Sequence, residues 1–217
     1  PRPEMNDPSL RLVLALLALE RGETAQAAAH ANWLAEHARG ARIAASTCRV
    51  LVRLGEARRA ATFAQQRINE GIASPSLHLE LALAWEAMGQ DDASYRALED
   101  GLTAFPDDPA LLETAAARAD AAGNVDRAIE LYTRAISHHS APALMHEAIA
   151  RVATDAGRLD IAIQHARAAV TLAGDQDPKV YRILYDALLA SGDTDGARAA
   201  LERGRRRFPQ APILGVP

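Results

Sequence analysis

The chain has 217 residues, 49% of them apolar but only 4% aromatic, and a formal net charge of -4. Alanine and leucine carry the apolar content and are strong helix formers, while the residues that favour strands are scarce. The mild acidity argues against a sequence-independent grip on nucleic acid, which needs a strongly basic face.

A lone cysteine, Cys48, excludes an internal disulfide and fits either bacterial cytoplasm or periplasm. The apolar run Leu12 to Leu19, flanked by Arg11 and Glu20, is far short of the roughly 20 residues of a membrane span. Arginine outnumbers lysine 23 to one, and with the abundant alanine this points to a GC-rich bacterial gene. The chain begins at Pro1 rather than Met and reads as a slice of a longer product.

Its organisation is set by a ladder of six glycines, Gly22, Gly55, Gly89, Gly123, Gly157 and Gly192, spaced by 33, 34, 34, 34 and 35 residues. Five residues after each stands a small residue: Ala27, Ala60, Ser94, Ala128, Ala162 and Ala197. Twelve residues before each stands a large aliphatic one: Leu10, Ile43, Leu77, Leu111, Met145 and Val180. Small residues let two helices approach, and large ones fill the space between layers. Each unit therefore reads as helix, tight glycine turn, helix. No single hairpin can bury its apolar face, but stacked hairpins can.

After a short extension, 1–7, the first unit spans 8–40 and opens at Asp7-Pro8, an N-cap followed by proline at N1. Its first helix is apolar nearly all round, although a helix with one open side should be amphipathic. It reads as an interior helix whose neighbour lies in flanking repeats or on another copy, with Leu12, Leu16 and Leu19 as the expected self-association residues. The second unit, 41–74, sets Arg42, Arg49 and Arg53 on one helix face. Three guanidinium groups there suit carboxylates or phosphates; the alternative is that they are solvated or paired with Glu86 and Glu56. The third unit, 75–108, opens at Ser74-Pro75 and offers Leu79 and Leu83 as an apolar floor.

Asp108-Pro109 opens the fourth unit, 109–142. His138, His139 and His146 surround the junction with the fifth, 143–177, but no cysteine or carboxylate completes a ligand set, so exposed histidines are expected rather than a metal site. The sixth unit, 178–209, opens at Asp177-Pro178 and closes with Arg203, Arg205, Arg206 and Arg207, cations that suit a helix C-terminus. The tail, 210–217, resembles the start of a further unit. Asp92, Asp126, Asp160 and Asp195, three residues past their glycines, are expected to cap the second helices.

From about Pro8 to Pro209 the pattern resembles the tetratricopeptide repeat (TPR) family. The resemblance rests on the turn glycine, the alanine of the second helix, the closing Pro106 and Pro209, and an early small residue in the first helix. That early position holds Ala15, Cys48, Ala82, Ala116 and Ala150, but Tyr185 in the last unit; the family's aromatic positions are mostly alanine, apart from Trp85 and Tyr132. The resemblance implies an all-α, right-handed α-solenoid of antiparallel helix pairs that serves as a protein–protein interaction scaffold, with no cofactor. First helices of the family line a concave groove. It therefore implies that Arg42, Arg49, Arg53, Leu79, Leu83, Glu86, Glu113, Arg151 and Arg182 face a partner. Around the second unit the expected occupant is an acidic, partly apolar protein or peptide segment.

Two subtypes are excluded. Leu12 and Leu16 stand where chaperone co-factors of the family carry a carboxylate clamp, and the asparagines form no ladder like that of the glycosyltransferase relatives. The alanine-rich array also looks like the periplasmic arms of exopolysaccharide-export machines, so a structural, self-assembling arm is the alternative function. No nucleophile–base set, phosphate loop or paired-acid arrangement marks an enzyme.

Overall fold

The computed structural model describes residues 6–215. Among them the chain is all-α, with twelve α-helices and no strand. They divide into two compact units, one ending at Pro106 and the other beginning at Asp107. The first holds α1 (Pro8–Glu20), α2 (Thr24–His37), α3 (Ala41–Arg53), α4 (Ala57–Asn69), α5 (Pro75–Glu86) and α6 (Asp91–Ala104). The second holds α7 (Pro109–Ala121), α8 (Val125–Ile136), α9 (Pro142–Asp155), α10 (Leu159–Ala173), α11 (Lys179–Ala190) and α12 (Thr194–Arg207).

Within each unit the helices pack as consecutive hairpins, and each hairpin leans on the next through its second helix. In unit 1 the first helices α1, α3 and α5 also lie side by side, as α9 and α11 do in unit 2. Each unit is thus a stretch of α-solenoid. The small-residue column is buried throughout, from Ala27 to Ala197, and lets paired helices approach closely. Ile43, Leu77, Leu111, Met145 and Val180 fill the layers between hairpins and are buried; Leu10 is half-buried. None of the described helices is long and apolar enough to cross a membrane.

The turns explain the ladder. All six glycines have positive φ, between +68° and +84°, where a Cβ is strained and glycine is not. In every case the residue after the glycine sends its N–H back to the preceding helix, as Asn124 does to the Ala119 carbonyl at 2.8 Å. That same residue is the N-cap of the following helix. Asn124 accepts from the Arg127 N–H, and Asp193 from the Gly196 N–H. This corrects the expectation for Asp92, Asp126, Asp160 and Asp195. With one residue serving both helices, these acids fall in the first turn, where they favour the helix dipole instead of capping it. Asp7, Ser74 and Asp108 do cap, each accepting a backbone N–H of the first turn. Asp177-Pro178 does not start its helix in that way: α11 begins one residue later, Pro178 takes the N-cap position, and Asp177 accepts the Lys179 N–H in the turn before it.

The two ends of the ladder differ. α1 packs on α2 and α3, which buries Leu12 to 7% exposure and leaves Leu16 and Leu19 half-buried. Leu12 is therefore not on an open face; the apolar residues exposed there are Val13 (51%) and Leu17 (46%). At the other end the tail turns back in a short 3-10 segment, Pro212–Leu214. Leu214 stands 34 residues after Val180, extends the large-aliphatic column, and is 1% exposed. It packs with Tyr181 beside Gly204, where a Cβ would come within 2.8 Å of the Tyr181 Cβ and 3.1 Å of Leu214 Cδ1. Arg205 Nε donates to the Leu214 carbonyl at 2.6 Å and fastens the turn.

Candidate partner-binding face

On the first-helix face of unit 1, Arg49 of α3 reaches α5 and donates from Nε and Nη2 to Glu80 Oε1, at 2.7 and 2.5 Å. The Glu80 side chain is 4% exposed and that of Arg49 is 60% exposed. A carboxylate so far out of water is costly unless it accepts charge-assisted bonds, and Arg49 supplies two. Arg53 reaches the other way, to Glu20 of α1 at 2.8 Å, with both groups exposed. Two of the three guanidinium groups read as an anion-binding set thus already hold carboxylates of their own chain. Arg42 alone of the three stands exposed in the first turn of α3 without a carboxylate partner among the described residues. Glu56 pairs with Arg59 instead of joining that set.

Arg49, Arg53, Leu83 and Glu86 come together with Val52, Glu80 and Ala87 around an open concavity of about 540 Å³. Leu83 is 42% exposed and Val52 half-buried, so the bowl has an apolar floor and a rim carrying both signs of charge. Arg42 and Leu79 lie outside it. Sequence reasoning missed Glu80, although a signal was present. It is the one acid in the run Leu79 to Leu83, and it stands 31 residues after Arg49, on the next first helix.

Beneath this face lies Cys48, fully buried, its Sγ 3.7 Å from the Ala60 carbonyl. Burial, reinforced by the Glu80 charge, pushes the thiol up to about 12, so it packs as a small apolar residue.

In unit 2 the corresponding charges are locked locally. Arg151 of α9 bonds Asp120 of α7 at 2.7 Å and approaches Asp155 at 3.7 Å. Arg182 chelates Asp186 one turn on and lies over the Tyr185 ring. Glu113 meets His139 Nε2 at 3.1 Å, and His139 Nδ1 accepts the Ala141 N–H. Glu113, Arg151 and Arg182 are spread over three helices and share no pocket among those described. His146 and His165 face each other, Nδ1 to Nδ1, at 2.9 Å; burial lowers the pKa of both, and the neighbouring ring lowers that of His165 further. His138 stands 3.7 Å from Asp107. Among the described residues no group of three or more His, Cys, Asp or Glu is placed to hold a metal ion.

Paired helices, left-handed glycine turns and a small-residue column define the tetratricopeptide repeat fold. Solved structures bear this out. The chain is similar to MamA, with a TM-score of 0.67 at 14% identity over 78% of this chain and 92% of that one. It is similar to YrrB, a TPR protein with an unusual peptide-binding site, with a TM-score of 0.64 at 12% identity over 82% and 92%. It is also similar to a chain of the APC/C hetero-tetramer Cut9–Hcn1, with a TM-score of 0.57 at 14% identity over 98% of this chain and 42% of that one. No protein-family model and no curated protein matches the sequence.

Proposed function

We propose that the chain is a protein-interaction scaffold, and that the first-helix face of unit 1 receives a segment of a partner protein. The observation that carries this reading is the open concavity of about 540 Å³, with Val52 and Leu83 on its floor and Arg49, Arg53 and Glu86 on its rim. Apolar surface ringed by charge is the usual anatomy of a recognition patch. The peptide-binding site of YrrB, a protein of the same fold, supports the reading by analogy. Since Arg49 is committed to Glu80, its part is to wall the bowl, and Arg53 is the cation that can exchange Glu20 for a partner's carboxylate. A peptide carrying apolar and acidic residues should lose affinity when Leu83→Ser and Arg53→Glu are combined, with the variant still folded by circular dichroism. Unchanged affinity in that variant removes the proposal.

A second reading, a structural arm that assembles through its first hairpin, is favoured by exposed Val13 and Leu17 on α1. It could serve a larger machine such as an exopolysaccharide exporter. Sedimentation separates the two readings: an arm self-associates, and Val13→Ser with Leu17→Ser abolishes this. A monomer at high concentration sinks the arm reading.

A further inference from the structure

Unit 2 carries another open concavity, away from the first-helix face. It is lined from α10, α11 and α12 and comprises a cleft of about 600 Å³ with a neighbouring lobe of about 260 Å³. Tyr181 and Leu184 of α11 and Val170 of α10 line both lobes, and Leu188 lines the smaller one. Tyr181, Leu184 and Leu188 are spaced by three and four, so they form one stripe of α11. Arg167 from α10 and Arg203 from α12 border both lobes. Both are exposed, and neither has a carboxylate partner among the described residues. The Arg203 guanidinium stands 5.8 Å from the centre of the Tyr181 ring, over the apolar floor.

The acids nearby are already used. Asp175 at the mouth is bonded to Arg207 at 3.0 Å. Asp193, on the smaller lobe, accepts the Gly196 N–H as the cap of α12. The cleft therefore pairs an apolar floor with two arginines that hold no carboxylate among the described residues.

The repeat provides its own controls. Arg167 stands ten residues after its ladder glycine and Arg203 eleven after its own. The same two positions in the other neighbouring hairpins of either unit hold Asn32 and Gln66, Gln65 and Asp100, or Thr133 and Ala168. The fold does not call for arginine there, since it forms without it in those hairpins.

We propose that this cleft is a second docking site, separate from the face of unit 1, and that its occupant is a protein segment in which acidic residues flank a large apolar one. The apolar side chain settles on the floor formed by Tyr181, Leu184 and Val170. The carboxylates take Arg167 and Arg203, whose planar guanidinium groups hold a carboxylate in two parallel bonds. Both lobes open to solvent, which suits an extended chain, whereas sites for small molecules enclose most of the ligand.

The test uses a fluorescein-labelled synthetic peptide of alternating glutamate and leucine, read by polarisation. Serine–leucine, glutamate–serine and lysine–leucine peptides serve as controls. Only the glutamate–leucine peptide should bind well, with the others about tenfold or more weaker. Its binding should perturb the backbone amide resonances of Tyr181 and Leu184. Arg167→Gln with Arg203→Gln should weaken it about tenfold, while Arg53→Glu with Leu83→Ser leaves the Tyr181 and Leu184 shifts intact. Circular dichroism confirms that each variant is folded. Equal binding of the glutamate–serine peptide means simple attraction of anions to arginine and overturns the proposal. So does an affinity, followed at the Tyr181 and Leu184 shifts, that survives the double glutamine change, or the absence of any shift there.

Discussion

The two ends of the ladder hold the same column position, with Leu10 in α1 and Leu214 in the 3-10 tail, and meet different fates. At the last hairpin Leu214 folds back over Tyr181 and the bare backbone of Gly204 and is lost from solvent. At the first, Leu10 holds the same column position but is only half-buried, and Val13 and Leu17 face outward. The residues are alike in chemistry; what differs is whether another element lies over them. Burial rather than residue type sets the energetic weight of a leucine here, because the driving force scales with apolar area removed from water.

That contrast can be broken or sharpened. The largest effect belongs to the closed end: Leu214→Ala should cost about 2–4 kcal/mol by urea unfolding, the usual cost of a cavity at a fully buried leucine. A cost near zero would show that the tail does not hold the last hairpin. Next comes the buried carboxylate. Arg49→Ala strands Glu80 without its partner and should cost about 1–3 kcal/mol, whereas Arg53→Ala, which breaks an exposed pair, should cost under about 1 kcal/mol. Equal losses would mean that Glu80 finds water after all.

Between the ends, Gly123→Ala forces a Cβ into a left-handed turn at φ +74° and should cost about 1–2 kcal/mol. Gly40→Ala, at an ordinary φ with open space around it, loses only the preference for glycine over alanine at the N-cap of α3 and should cost about 0.5 kcal/mol. A smaller effect concerns pH. His146 and His165 bind protons less readily when folded than when unfolded. Their contribution is therefore intact above the unfolded value of about 6.5 and is lost as pH falls through the lower folded values. Denaturant midpoints at neutral and mildly acidic pH should show this loss, and His165→Gln should reduce it. The smallest effect is at the open end, where Val13→Ser with Leu17→Ser should change stability by no more than about 0.5 kcal/mol per site.

Much of the fold was legible beforehand because its signals are local. A glycine every 33 to 35 residues marks a left-handed turn, and a small residue five positions on marks a close helix contact; both depend only on the chain nearby. The helix starts at Asp7-Pro8, Ser74-Pro75 and Asp108-Pro109 were readable for the same reason, while at Asp177-Pro178 the helix begins one residue late. The candidate face was legible only in part. Arg49, Arg53, Leu83 and Glu86 could be placed on one face, but their partners could not, since Glu20 and Glu80 come from the neighbouring hairpins. The cap misreading at Asp126 and its equivalents has a similar root, as one turn residue serves two helices at once.

The sequence by itself determined the helical hairpin, its repeat and the residues of each helix face, because period, turn chemistry and small-residue spacing are written along the chain. Only the tertiary structure decided which charges are spent on one another and which stay free. Arg49 is committed to Glu80, while Arg167 and Arg203 have no such partner. It also decided that Leu12 and Leu214 lie inside while Val13 and Leu17 lie outside. The physical reason is that pairing and burial depend on what arrives from another helix, and that distance is set by packing, not by position in the chain.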